Sequence, residues 1–223
     1  MTAVPETDFY AAFLHELSQP VTAVRNLLEL TTYRESNDWP AVVEDALENV
    51  ERIVALIDLM SELKRLERTP AAPEQVDLAS LVREAIEDLG IAAAENGKPL
   101  QGEGLAAPAW VWTPPAVLRP ALFRILDDAI HHTPSRERIN IVLRYDSGTA
   151  RLDITSAGMR FSPAERETLL ALAQTGRGPR GAVTRRVFRV ALILRTLALH
   201  GAKFTLSAGQ APTATLQIAL PVK

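Results

Sequence analysis

The sequence predicts an α+β protein in two parts, a two-helix hairpin that dimerises into a four-helix bundle and then an α/β sandwich. Three observations carry this reading. Apolar residues recur at helical spacing through residues 5–68, a proline-rich stretch stops that pattern, and short helical and β-branched runs alternate beyond it. The domains expected are therefore 1–69, helical, and 76–223, mixed.

The first helix is expected over residues 5–35. Leu14, Leu17, Val21, Val24 and Leu28 follow the 3-4 spacing of a stripe facing a partner helix, while His15, Ser18 and Thr22 fall on another face. Ser36, Asn37, Asp38 and Pro40 are turn and cap residues, with Asp38 as N-cap and Pro40 in the first turn of the second helix. That helix runs to residue 68, and Val43, Ala46, Val50, Ile53, Ile57 and Met60 keep a heptad pattern. At 1.5 Å per residue each helix is about 40 Å long. A lone hairpin of this length cannot bury both stripes, so a homodimer is the economical arrangement.

Thr69, Pro70, Ala71, Ala72 and Pro73 make a helix stop and a stiff linker. Helices are then expected over 78–93, 115–131, 163–173 and 186–199, and strands over 109–112, 138–145, 150–155, 203–208 and 215–221. Mostly hairpin-connected strands between helices suggest one sheet covered on one face. Trp110 and Trp112 read as core or edge residues rather than a ligand platform.

Composition narrows the function classes. The chain has no cysteine, so disulfides and thiolate metal sites are excluded, and its four histidines lack H-x-x-x-H spacing. No run approaches the roughly 20 apolar residues of a membrane span, and the start, with Glu6 and Asp8, lacks a basic signal region, so a cytoplasmic protein without membrane attachment is expected. Residues 168–223 contain no acidic residue and eight cations, so with a net charge of −3 the first 167 residues carry −11. Such a basic segment is either a solvated face or a dock for phosphate or an acidic partner. Nucleic acid is not expected, because stacking aromatics and nucleic-acid motifs are missing from it.

The most informative residues are H-E-L-S-Q-P at 15–20, which show a histidine to solvent on a helix otherwise built to pack. Neutral imidazole is a good nitrogen nucleophile near pH 7, and phosphoryl transfer is the chemistry that fits; an ordinary surface histidine is the alternative. Phe13, His15, Glu16, Leu17, Gln19 and Pro20 resemble the phosphoacceptor box of sensor histidine kinases. Downstream, R-I-L-D-D-A-I-H-H-T-P at 124–134 resembles the asparagine-containing box of the kinase ATP-binding domain, and Leu199, His200 and Gly201 resemble the end of its last helix. The order and separation agree, and together the matches span nearly the whole chain.

The resemblance also implies what has been lost. Asp128 stands where the family has a magnesium-holding asparagine. Ser156, Ala157, Gly158, Met159 and Arg160 stand at the adenine-binding D-x-G-x-G box, where serine lacks the charge and reach of aspartate and Arg160 replaces a glycine. Arg185, Val187 and Arg189 stand at glycines of the last nucleotide box, while the cluster Gly176, Gly178 and Gly181 comes about nine residues early. No nucleotide or metal cofactor is therefore expected on this chain, and Asp128, Ser156, Gly158 and Arg160 are degenerate positions.

This combination resembles the dimeric histidine phosphotransferases of bacterial phosphorelays, which pass a phosphoryl group between response-regulator receiver domains. The resemblance implies that His15 attacks an aspartyl phosphate in line, with magnesium held by the receiver. Glu16 would orient the imidazole or take its proton, or is plain surface; Gln19, one turn on, would position a water, or is helix surface. Ser18, Thr22 and Arg25 are expected to contact the receiver, and Arg185 and Arg186 to help recruit it. Two other readings stay open: an ATP-dependent histidine kinase, and a kinase-like scaffold that binds a receiver or kinase without using His15.

Overall fold

A computed structural model describes residues 7–33, 39–68, 72–146, 148–176, 184–208 and 213–222. The hairpin consists of α1 (Thr7–Tyr33) and α2 (Trp39–Arg68). The expected Asp38 cap and its neighbours at 34–38 lie outside the described residues. Pro20 sits inside α1 and is buried; having no N–H, it cannot bond the carbonyl one turn back, so the helix gives up one hydrogen bond just past His15.

The second domain opens with β1 (Glu74–Asp77), followed by α3 (Leu78–Glu95), β2 (Leu100–Glu103), β3 (Trp110–Thr113), α4 (Pro115–His132), β4 (Ile139–Asp146) and β5 (Thr149–Ser156). A short 3-10 turn (Ala157–Met159), α5 (Pro163–Thr175), α6 (Arg185–Leu199), β6 (Lys203–Ala208) and β7 (Ala214–Pro221) complete it. The main sheet has the order β2-β4-β5-β7-β6, parallel between β2 and β4 and antiparallel elsewhere. One expectation fails here: β3 does not join that sheet but pairs antiparallel with β1 in a ribbon of its own.

The alternation in the strands explains the layering. In β7, Ala214, Leu216, Ile218 and Leu220 are buried and their neighbours less so, which is the pattern of a sheet with its core on one face. Ile139, Ile141 and Leu143 of β4 and Leu152 and Ile154 of β5 join the same core with Val82, Leu122, Leu126, Phe188 and Leu194 from the helices. The element starts are set by local chemistry. Asp77 accepts from the Ala79 and Ala109 N–H groups, capping α3 and tying it to the chain before β3. Ser162 and Glu165 form a capping box on α5, and Gly176 ends it at φ +71°, the left-handed conformation a glycine accepts readily.

The hairpin and second domain touch through α6. Phe13 and Leu17 of α1 pack against the core that contains Phe188, and Leu56 and Met60 of α2 are buried in it. Much of the hairpin's apolar stripe stays exposed in the single chain: Leu14, Val21, Leu28, Val43, Leu47, Val50, Val54 and Ile57. No helix among the described residues is long and apolar enough to cross a membrane.

Candidate functional site

Two places hold the residues that matter, one on α1 and one between α4 and the start of α6. On α1, His15 is exposed, as are Ser18, Gln19, Thr22 and Arg25. The Gln19 amide nitrogen lies 3.4 Å from His15 Nε2, one helical turn away. Ser18 Oγ donates to the Leu14 carbonyl at 2.6 Å, and Arg25 pairs with Glu29 at 2.7 Å, so both polar groups are satisfied within the helix. The side chains of Glu16 and Arg185 lie outside the described residues.

At the second place, Asp128 occupies a core-facing position of α4, between Leu126 and Ala129, with its side chain 1% exposed. A buried carboxylate needs partners, and α6 supplies two. Arg186 donates to Asp128 Oδ2 from Nε (3.1 Å) and Nη2 (2.9 Å), and Arg189 donates from Nη2 to Oδ1 (3.2 Å). Arg186 also donates to the carbonyls of Gly158 and Arg160, and its guanidinium lies 4.2 Å from the centre of the Phe161 ring. One cation thus ties α4, the 3-10 turn and the start of α6 together.

The positions read as degenerate have physical roles of their own. Gly158 is a glycine because α4 comes close: a Cβ there would lie 2.4 Å from the Ala129 carbonyl oxygen and 2.5 Å from Thr133 Oγ1. Ser156 is fully buried, and its Oγ has no hydrogen-bond partner among the described residues. Arg160 is exposed and contributes its carbonyl, not its charge.

One residue of the expected basic docking surface, Arg186, is corrected here, while the side chain of Arg185 lies outside the described residues. Arg186 and Arg189 are turned onto Asp128, because a carboxylate sealed in the core is left uncompensated without charged partners; Arg195 is buried as well. Arg186 is therefore not available as a free recruiting charge. Sequence reasoning missed the clamp and Phe161, although a signal was present. Asp128 interrupts the buried run Leu122, Ile125, Leu126 and Ala129, and arginines at 186 and 189 share one helix face.

No protein-family model matches the chain. It is 30% identical over 166 residues to sensor protein SphS of Synechococcus elongatus, covering 68% of this chain and 37% of SphS. It is 24% identical over 200 residues to sensor protein CzcS of Cupriavidus metallidurans, covering 86% of this chain and 41% of CzcS. Among solved structures, Acinetobacter baumannii histidine kinase AdeS superposes with a TM-score of 0.65 at 16% identity, covering 93% of this chain and 97% of that one. Histidine kinase ThkA, in its complex with response regulator protein TrrA, gives 0.68 at 13% identity, covering 96% and 61%.

The chain is histidine-kinase-like. It carries the helices and mixed sheet of the kinase fold, and its sequence relatives are sensor proteins of which it spans less than half the length. Asp128, which the sequence resemblance sets at the magnesium-holding position, is paired with Arg186 and Arg189 in this structure.

Proposed function

We propose that the chain is a histidine phosphotransferase of a two-component phosphorelay, working as a homodimer and carrying a phosphoryl group on His15 between response-regulator receiver domains without using ATP. The observation that carries this reading is the Arg186 clamp on Asp128, which sets a protein cation where the fold would seat a metal-bound phosphate. The exposure of His15 supports it, since the donor must be a macromolecule that reaches the helix from outside. The exposed stripe from Leu14 to Ile57 supports the homodimer, because an apolar face of this extent on a two-helix stalk favours a second copy.

In this mechanism the chain supplies a nucleophile and its placement. The Gln19 amide nitrogen lies 3.4 Å from Nε2 and gives way as phosphorus approaches that nitrogen, whose lone pair belongs to the tautomer with its proton on Nδ1. Nε2 forms the new bond to phosphorus as the bond to the receiver's aspartyl oxygen breaks, and the carboxylate leaves with the electron pair. The receiver brings its own magnesium. Reversal of the same step passes the group to the next receiver.

An ATP-dependent histidine kinase is the second reading, and the comparisons back it better than the first, since the relatives are sensor proteins and histidine kinases. It requires Arg186 to leave Asp128 before a nucleotide enters. The test is transfer from receiver domains charged with labelled phosphate. Wild type should acquire acid-labile label within the assay, and His15→Ala should stay folded, dimeric and unlabelled. Equal labelling of His15→Ala would refute the assignment of His15.

A further inference from the structure

The clamp and the phosphoacceptor helix meet through one element. Arg186 and Phe188 are two residues apart on α6, which at 3.6 residues per turn puts them on opposite sides of the helix. One side grips Asp128. The other carries Phe188, fully buried, whose ring centre lies 6.2 Å from that of Phe13 with 35° between the planes. Phe13 precedes His15 by the same two-residue step on α1, so the ring contact lies on the side of α1 away from the imidazole. The second domain therefore holds the phosphoacceptor helix from behind and leaves His15 facing outward. Leu17, two residues past His15, packs on the same core, so the histidine is bracketed by domain contacts.

We propose that Arg186 is a positioning residue for His15: by fixing the first turns of α6 against α4, it keeps Phe188 seated on Phe13 and sets how the second domain stands beside the phosphoacceptor. The cation that clamps Asp128 thus works as a splint for the stalk. Its transfer readout rests on the phosphotransferase reading; its geometric readout does not.

The experiment uses the full chain. It contains no cysteine, so a single pair can be introduced at exposed sites, Glu51→Cys on α2 and Lys203→Cys on β6, and spin-labelled for distance measurement. Labelled protein is diluted in unlabelled protein so that distances report one copy. Wild type should give one narrow distribution. Arg186→Gln and Phe13→Ala should each broaden or shift it. Both should slow transfer from a phosphorylated receiver about tenfold or more, while labelling of His15 by the small donor phosphoramidate stays at the wild-type rate. If Arg186→Gln fails to fold, Phe13→Ala decides, since Phe13 is only partly buried and lies outside the clamp. Distributions as narrow and centred as wild type would overturn the proposal, as would equal losses with receiver and phosphoramidate. If wild type accepts phosphate from no receiver, the phosphotransferase reading fails and the distance comparison still decides the splint.

Discussion

Replacing Arg186 by methionine removes the cation and keeps most of the side chain's length, and the structure sets the size of the effect. Asp128 loses two of its three guanidinium hydrogen bonds and keeps Arg189, while the Gly158 and Arg160 carbonyls lose a donor and Phe161 loses its stack. Breaking one partner of a buried ion pair costs about 3–5 kcal/mol; because Arg189 remains and Arg186 is 20% exposed, we expect about 3 kcal/mol. For a chain of this size that lowers the melting temperature by roughly 6–12 °C. Asp128→Ala should cost a similar amount, since it strands two arginines. The double variant should cost less than the two singles together, with a coupling of about 1.5–3 kcal/mol. Urea denaturation followed by far-UV circular dichroism measures all four proteins. Additivity within about 0.5 kcal/mol would refute the clamp, because independent sites add.

Other expectations follow from other parts of the molecule. Gly158→Ala should destabilise by about 1–3 kcal/mol, as the new methyl meets the Ala129 carbonyl and Thr133; the same denaturation assay checks it. Wild type should sediment as the proposed homodimer and Leu47→Asp with Val54→Asp as monomer, the second domain keeping its fold, because both side chains are exposed on the single hairpin. Burial holds the His200 imidazole below the usual histidine value of 6.5. Its contribution to stability is therefore complete above pH 6.5 and lost as pH falls through the lowered folded value, so His200→Gln should flatten the stability profile on the acid side of 6.5. Glu165 is likewise held below the ordinary carboxylate value, first by the Ser162 backbone N–H. Its contribution is present above the ordinary glutamate range and lost as pH falls through the depressed value, and Glu165→Gln should remove that loss from the acid limb.

The hairpin was legible because its signal is long: two helices with sustained apolar spacing and a proline stop fix type and order with little ambiguity. Strands β4 to β7 were legible because one face is buried and the residues alternate. Strands β1 and β2 were not. E-Q-V-D and L-Q-G-E are four residues each, mostly exposed, and have too few apolar positions to show a period; they exist because a neighbouring strand offers them hydrogen bonds. At the site, the exposed histidine could be read from the helix face alone. The clamp could not be read in full, because it joins residues 58 and 61 positions apart, and sequence shows that Asp128 needs a partner without showing which. That gap is why Arg186 read as a surface charge.

Which molecule delivers phosphate to His15 is the measurement that bears most directly on the whole account. The chain is incubated in parallel with ATP labelled at the γ-phosphate and magnesium, and with a labelled phosphorylated receiver, and the acid-labile label on His15 is followed over time. The account predicts rapid labelling from the receiver and none above the His15→Ala background from ATP. Label from ATP that depends on His15 would contradict it.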